Sequence, residues 1–172
     1  GYIGYMTFIV TLLREQGAST ALVTGFYTLL GLGVIASSWL WAGLLQRQHG
    51  GAAMALLNGL LALATALPVM VAGPLAALAS GALFGAVFLS VVASTTALVR
   101  HNLPPAAWAS GISAFTVVFA GGQIVGPVLV GWLSDGAGGL TRGLVVSAAL
   151  LALGALLALR QRLLARPGPA AA

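Results

Sequence analysis

Charge is what this chain has least of. Lysine and cysteine are both absent, and two acids stand against seven basic residues, all arginine, among 172 residues. Charged residues make up 5% of the chain, whereas a soluble domain carries about 25%. That excludes a fold whose surface faces water on all sides. The missing cysteine excludes a disulfide framework and a thiolate metal site. The sequence pI near 11.3 does not point to nucleic acid, because the arginines are scattered singly instead of forming a patch.

What replaces charge is apolar length. Hydrophobic residues make up 60% of the chain and the mean hydropathy is +1.07. No acid, lysine or arginine lies between Glu15 and Arg47, between Arg47 and Arg100, or between Arg100 and Asp135. A helix that crosses a bilayer needs roughly 20 such residues. The run from 48 to 99 is enough for two crossings and too long for one. The fold class read from this pattern is an all-α integral membrane bundle of six transmembrane helices, with the lipid bilayer as its solvent.

The spans are expected at about 1–13, 20–44, 53–71, 75–98, 107–133 and 142–160, followed by a tail over 161–172. The breaks between them, "REQGAS", "QRQHGG", "VAGP", "RHNLPP" and "SDGAGGLTR", mix charge with Gly, Pro, Ser or Asn, where the backbone can meet water. The first span reaches Arg14 early and has neither a basic leader nor a small-residue cleavage site, so it reads as the later part of a helix, not a signal peptide. Arg47, Arg100, Arg160, Arg162 and Arg166 fall on one side of the membrane, and Arg14 and Arg142 on the other. The positive-inside rule makes the first side cytoplasmic, including the C-terminal tail. Trp39, Trp41, Trp108 and Trp132 lie near span ends, where an indole suits the interface.

Helices in lipid associate by close van der Waals approach, which small residues permit. Gly81 and Gly85 form a GxxxG in the fourth span, and Gly122 and Gly126 form another in the fifth, continued by Gly131. Pro127 removes one backbone donor and can bend the fifth helix. These residues serve either static packing or a bend used in conformational change. Gln123 lies mid-span, so it must face protein or a water-filled cavity. Phe115, Phe119 and Gln123 recur at i, i+4 and i+8 and share a face. They form either a cavity wall or an interhelical hydrogen bond flanked by rings. Tyr2 and Tyr5 are deep in the first span, Thr24, Tyr27 and Thr28 lie in the outer half of the second, and Phe84 and Phe88 share a face of the fourth. Asn58 lies closer to the cytoplasmic boundary, where hydration accounts for it.

No Asp, Glu, Arg or His lies deep in any span, so this segment has no carboxylate of the kind that relays protons or ions. His49 and His101 have no Cys, Asp or Glu at ligand spacing, so no metal site is expected. No base shares the depth of any serine or threonine, so no catalytic residue is expected, and no cofactor.

On these residues the chain resembles the C-terminal half, spans seven to twelve, of a major facilitator superfamily (MFS) transporter. The wording of "GYIGYMTFIVTLLREQGAS", "FLSVVASTTALVRHNLPP" and "GISAFTVVFAGGQIVGPVLVGWLSDGAGGL" is similar to the YbfB/YjiJ branch. The superfamily's exporter motif G-x8-G-x3-G-P-x2-G-G, usually described in the other half, is met by Gly122, Gly126, Pro127 and Gly131, with Ser113 and Val130 standing where the motif has glycine. Its cytoplasmic-loop motif survives as Gly43 and Gly50, with Arg47 in place of the acid and Gln48 in place of the arginine. The resemblance implies two inverted three-helix repeats and secondary active transport of a small organic solute by alternating access, proton-coupled efflux being one form of it. It further implies a bacterial inner membrane and a missing N-terminal six-helix half as partner. Within this half it implies a cavity lined from the first, second, fourth and fifth helices, which promotes Tyr2, Tyr5, Tyr27, Phe84, Phe88, Phe119 and Gln123 and demotes Asn58. The competing readings are a non-transporting membrane scaffold and a six-helix homodimer.

Overall fold

The computed structural model describes residues 1–136 and 138–161, so the tail arginines Arg162 and Arg166 lie outside the described residues. The elements are α1 (Tyr2–Glu15), α2 (Thr20–Arg47), α3 (Ala52–Met70), α4 (Pro74–Asn102), α5 (Trp108–Ser134) and α6 (Gly139–Leu159), with a single 3-10 turn at Pro105–Ala107 before α5. Five of them, α2 to α6, are long and apolar enough to cross a membrane. α1 has 14 residues, about 21 Å at 1.5 Å per residue.

Local chemistry sets the helix ends. After α1, Gly17 takes φ +83°, and its N–H bonds Arg14 O while the Ala18 N–H bonds Leu13 O. This paired closure needs a left-handed residue, which glycine supplies without a Cβ clash. The hydroxyl of Ser19 then caps α2 by accepting from the Leu22 N–H at 3.2 Å. α4 starts on Pro74 at its first turn, where a missing N–H costs nothing. It continues through Arg100 and His101, so the "RHN" expected to be loop is helical. The break comes at Leu103, held extended by Pro104. Charge alone does not end a helix, and proline's ring does.

Part of the helix packing repeats between the two three-helix halves. Exchanging α1, α2 and α3 with α4, α5 and α6 carries the α2–α4 contact onto α5–α1, carries α3–α4 onto α6–α1, and leaves α3–α6 on itself. All of these contacts are present, whereas α5–α6, α4–α5 and α1–α3 have no counterpart of comparable extent in α2–α3, α1–α2 and α4–α6. The two halves differ in tightness. α2 lies hard against α4 because Gly33, Gly81 and Gly85 remove side chains from the seam. A Cβ on Gly33 would come within 2.8 Å of Ala82 O, and one on Gly81 within 2.7 Å of the Phe26 ring. The Trp41 indole N–H donates to Ala86 O at 2.7 Å across the same seam. α5 is held more loosely, with Val130 as its one buried residue. A Cβ on Gly126 would meet Ile3 and one on Gly131 would lie 3.8 Å from the Phe8 ring, while one on Gly121 or Gly122 would face open space. α5 therefore stands off from α1 and α4 along part of its length, and a cavity lies in that gap.

α3 contains a proline, Pro68, two residues before its last residue and buried. Proline has no N–H for the carbonyl four residues back, here Ala64. The Ser80 hydroxyl of α4 fills that place, donating to Ala64 O at 2.7 Å. Its single proton is thereby committed, so in the 2.5 Å contact with Tyr5 the phenol of α1 donates to Ser80 Oγ. One buried hydroxyl thus ties α1, α3 and α4 together.

Candidate solute cavity

The cavity occupies about 330 Å³ and is lined from α1 by Tyr2, from α3 by Asn58 and Leu61, from α4 by Phe88, Thr95 and Thr96, from α5 by Phe115, Thr116 and Phe119, and from α6 by Leu151. α2 contributes nothing, because its seam with α4 is closed. The wall therefore differs from the four-helix wall that the resemblance implies. Asn58, demoted on that ground, lies in the lining, and Tyr27 does not. Tyr27 sits on the open face of α2, 48% exposed, with its ring against the edge of Phe26 at 5.5 Å.

Two spacings on α1 and α4 organise the rings. Tyr2 and Tyr5 are three apart, and Phe84 and Phe88 are four apart, so each pair shares one helix face. Tyr5 stacks on Phe84 at 4.2 Å, Phe84 on Phe88 at 5.7 Å, and Phe88 leans on Tyr2 at 5.0 Å. Tyr2 stacks in turn on Phe119 of α5 at 5.6 Å. The result is a continuous ladder of five rings. Its inner end, Tyr5 and Phe84, is fully buried and anchored through Ser80. Its outer end, Phe88, Tyr2 and Phe119, forms a wall of the cavity. Gln123 lies one turn beyond Phe119 and donates from Nε2 to the Tyr2 hydroxyl at 2.9 Å. That bond holds the Tyr2 ring on α5 and gives the mid-span amide a partner, as its depth requires.

The rest of the lining includes weakly polar groups. The hydroxyl of Thr95 donates to Val92 O at 2.8 Å, and that of Thr116 to Ile112 O at 2.9 Å. Asn58 Nδ2 donates to Met54 O at 2.9 Å. Tyr2 is the one titratable side chain in the lining. The sequence held a signal for part of this lining: Phe88, Val92 and Thr95, like Ile112, Thr116 and Phe119, recur at helical spacing.

At the end carrying Arg47 and Arg100, the rings of His49 and His101 lie 4.4 Å apart, brought together by the return of α4. The Asn102 amide donates to His49 O at 3.0 Å. The Arg100 guanidinium sits over the Trp108 ring at 5.3 Å, a cation–π arrangement. A Cβ on Gly43 would meet open space, and one on Gly50 would lie 3.6 Å from Gln161 O. The tight glycine in this region is Gly51, where a Cβ would overlap Ala158 O. Among the described residues no third His, Cys, Asp or Glu joins the two histidines.

The family model described as "Uncharacterised MFS-type transporter YbfB" matches residues 1–159. No curated protein and no solved structure matches the chain.

Proposed function

The chain belongs to the YbfB family of MFS-type transporters, and from that premise we propose that it is the C-terminal six-helix half of a secondary transporter that moves a small organic solute across a bacterial inner membrane by alternating access. The observation that carries the reading is the cavity of about 330 Å³ lined by four rings together with hydroxyls and an amide. A few polar groups in a mostly apolar hollow is the usual character of a small-molecule site. Families of this kind are transporters and typically not enzymes.

The N-terminal half is its partner. α2 and α5 are the least buried of the long helices and occupy equivalent places in that partial repeat. They expose Ile35 and Trp39 on one, and Val117, Val118 and Ile124 on the other. Large apolar side chains displayed this way need lipid or a second bundle, and the paired faces suit a partner of the same fold. In this reading Gly122, which meets nothing within 4 Å, with Gly121 and Pro127, leaves α5 free to shift while Gly81 and Gly85 keep α2 and α4 together.

Two experiments test this. In vesicles bearing the full-length protein, assayed with a panel of small aromatic solutes, Phe119→Ala removes a cavity ring and lowers apparent affinity for the transported solute about tenfold, the worth of burying such a ring. Gln123→Leu frees the Tyr2 hydroxyl and lowers affinity about threefold, as loss of a neutral hydrogen bond would. Unchanged affinity in both variants rejects the cavity as the solute site. For orientation, reporter fusions after Gly17, Gly50, Gly73, His101 and Gly138 are expected to alternate outside and inside, beginning outside. Any other order rejects the topology.

A further inference from the structure

We propose that this cavity selects a hydrophobic organic monocation, an amine carried on an aryl group, over a carboxylate of the same skeleton; the proposal rests on the reading of the cavity as the solute site. The polar part of the lining is short of donors. Thr95 and Thr116 have committed their protons to carbonyls of their own helices, so each offers only lone pairs to a ligand. Asn58 has used one amide hydrogen on Met54 O and keeps its Oδ1. Of the lining groups, only the Tyr2 and Thr96 hydroxyls and the second Asn58 hydrogen can still donate. An ammonium brings up to three donors to this surplus of acceptors. A carboxylate brings acceptors alone.

Charge points the same way. Among the described residues no Arg, Lys or His lines the cavity, so an anion there would be desolvated without a counter-charge. Tyr2 and Phe88 are each flanked by two other rings. Phe119 has a ring partner on one side only and, among the described residues, Phe115 has none, so the ring faces a cation meets are those of Phe119 and Phe115. Ring faces are electronegative and attract a cation within about 6 Å of the centroid. No acid lines the cavity either, so a cation is desolvated too and only the ring faces and acceptor oxygens offset its charge, which limits the ligand to a single positive charge. The volume of about 330 Å³ is roughly twice that of a cavity known to admit benzene, about 150 Å³. It therefore suits one ring with a short alkyl arm.

The test compares 3-phenylpropylamine, 3-phenylpropanol and 3-phenylpropanoate at neutral pH, binding to the full-length protein in detergent. Phe119→Leu is measured alongside so that partition into detergent cancels, and Phe115→Leu is the second variant should the first not fold. The amine is expected to bind at least about tenfold tighter than the carboxylate, with the alcohol between. Loss of one ring face narrows that ratio roughly fivefold. Equal or tighter binding of the carboxylate or the alcohol overturns the cation preference and leaves the solute site standing, as does a ratio unmoved by both variants. Binding of none of the three removes the solute site itself, and the cation preference with it.

Discussion

Gly85→Ala is expected to abolish most of the folded protein. A Cβ at this position would lie 2.0 Å from Leu30 O and within 2.9 Å of Leu30 Cα. Those atoms are backbone of α2 and cannot rotate aside as a side chain would. The helices must separate, which also opens the contacts of Gly33 and Gly81 and stretches the Trp41–Ala86 hydrogen bond. Two effects compete. Alanine is the better helix former by about 1 kcal/mol, whereas overpacking a tight seam costs typically 1–3 kcal/mol and more when backbone is struck. The clash wins, and a net loss of about 3 kcal/mol or more follows. Gly59→Ala is the control, since nothing lies within 4 Å of a Cβ there. It keeps the propensity term without the clash, so it gains about 0.5–1 kcal/mol. Thermal unfolding in detergent, followed by monodisperse yield, separates the two. A Gly85→Ala protein that melts with wild type would show that α2 and α4 do not approach this closely.

The second large effect belongs to Ser80. Ser80→Ala leaves both the Ala64 carbonyl and the Tyr5 phenol, groups among fully buried residues, without the partner they have in Ser80. An orphaned buried group costs about 1–3 kcal/mol, so a loss of about 3 kcal/mol is expected for the pair. Tyr5→Phe is milder, about 1 kcal/mol, because Ser80 still serves Ala64. The decisive comparison uses Pro68→Ala, which restores an N–H four residues after Ala64. In that background Ser80→Ala orphans only the phenol and should cost about half as much. The ring volume lost with Pro68 cancels in the double-mutant cycle. An equal cost of Ser80→Ala in both backgrounds would sink the assignment of Ser80 as the substitute donor for proline's missing N–H.

Both predictions separate what is visible along the chain from what is not. The scarcity of charge and the long uncharged runs determined lipid as solvent and six helices as the architecture, since twenty-odd apolar residues have few other stable fates. GxxxG spacing placed Gly81 and Gly85 on one face, and depth alone required shelter for Gln123. The partner of each face was not legible. Tyr2 and Tyr5 sit three residues apart on the same side of α1, yet one borders the cavity and the other is sealed in the core against Phe84. Gly85 and Gly122 belong to identical motifs, yet one touches the backbone of α2 and the other touches nothing. Pro68 gives no hint of the serine, on another helix, that serves its freed carbonyl, and His49 and His101 reveal their proximity only once α4 has returned.

The reason is the solvent. In water, polar residues mark the outer face of a helix, and the period of the pattern reports which side is buried. In lipid the outer face is as apolar as the inner one, so that phase information is lost and close packing, not burial from water, chooses neighbours. The sequence by itself determined the medium, the number of helices and the residues small enough to let them meet. Only the tertiary structure decided which of those meetings close, at α2–α4, and which leave a gap, between α4 and α5.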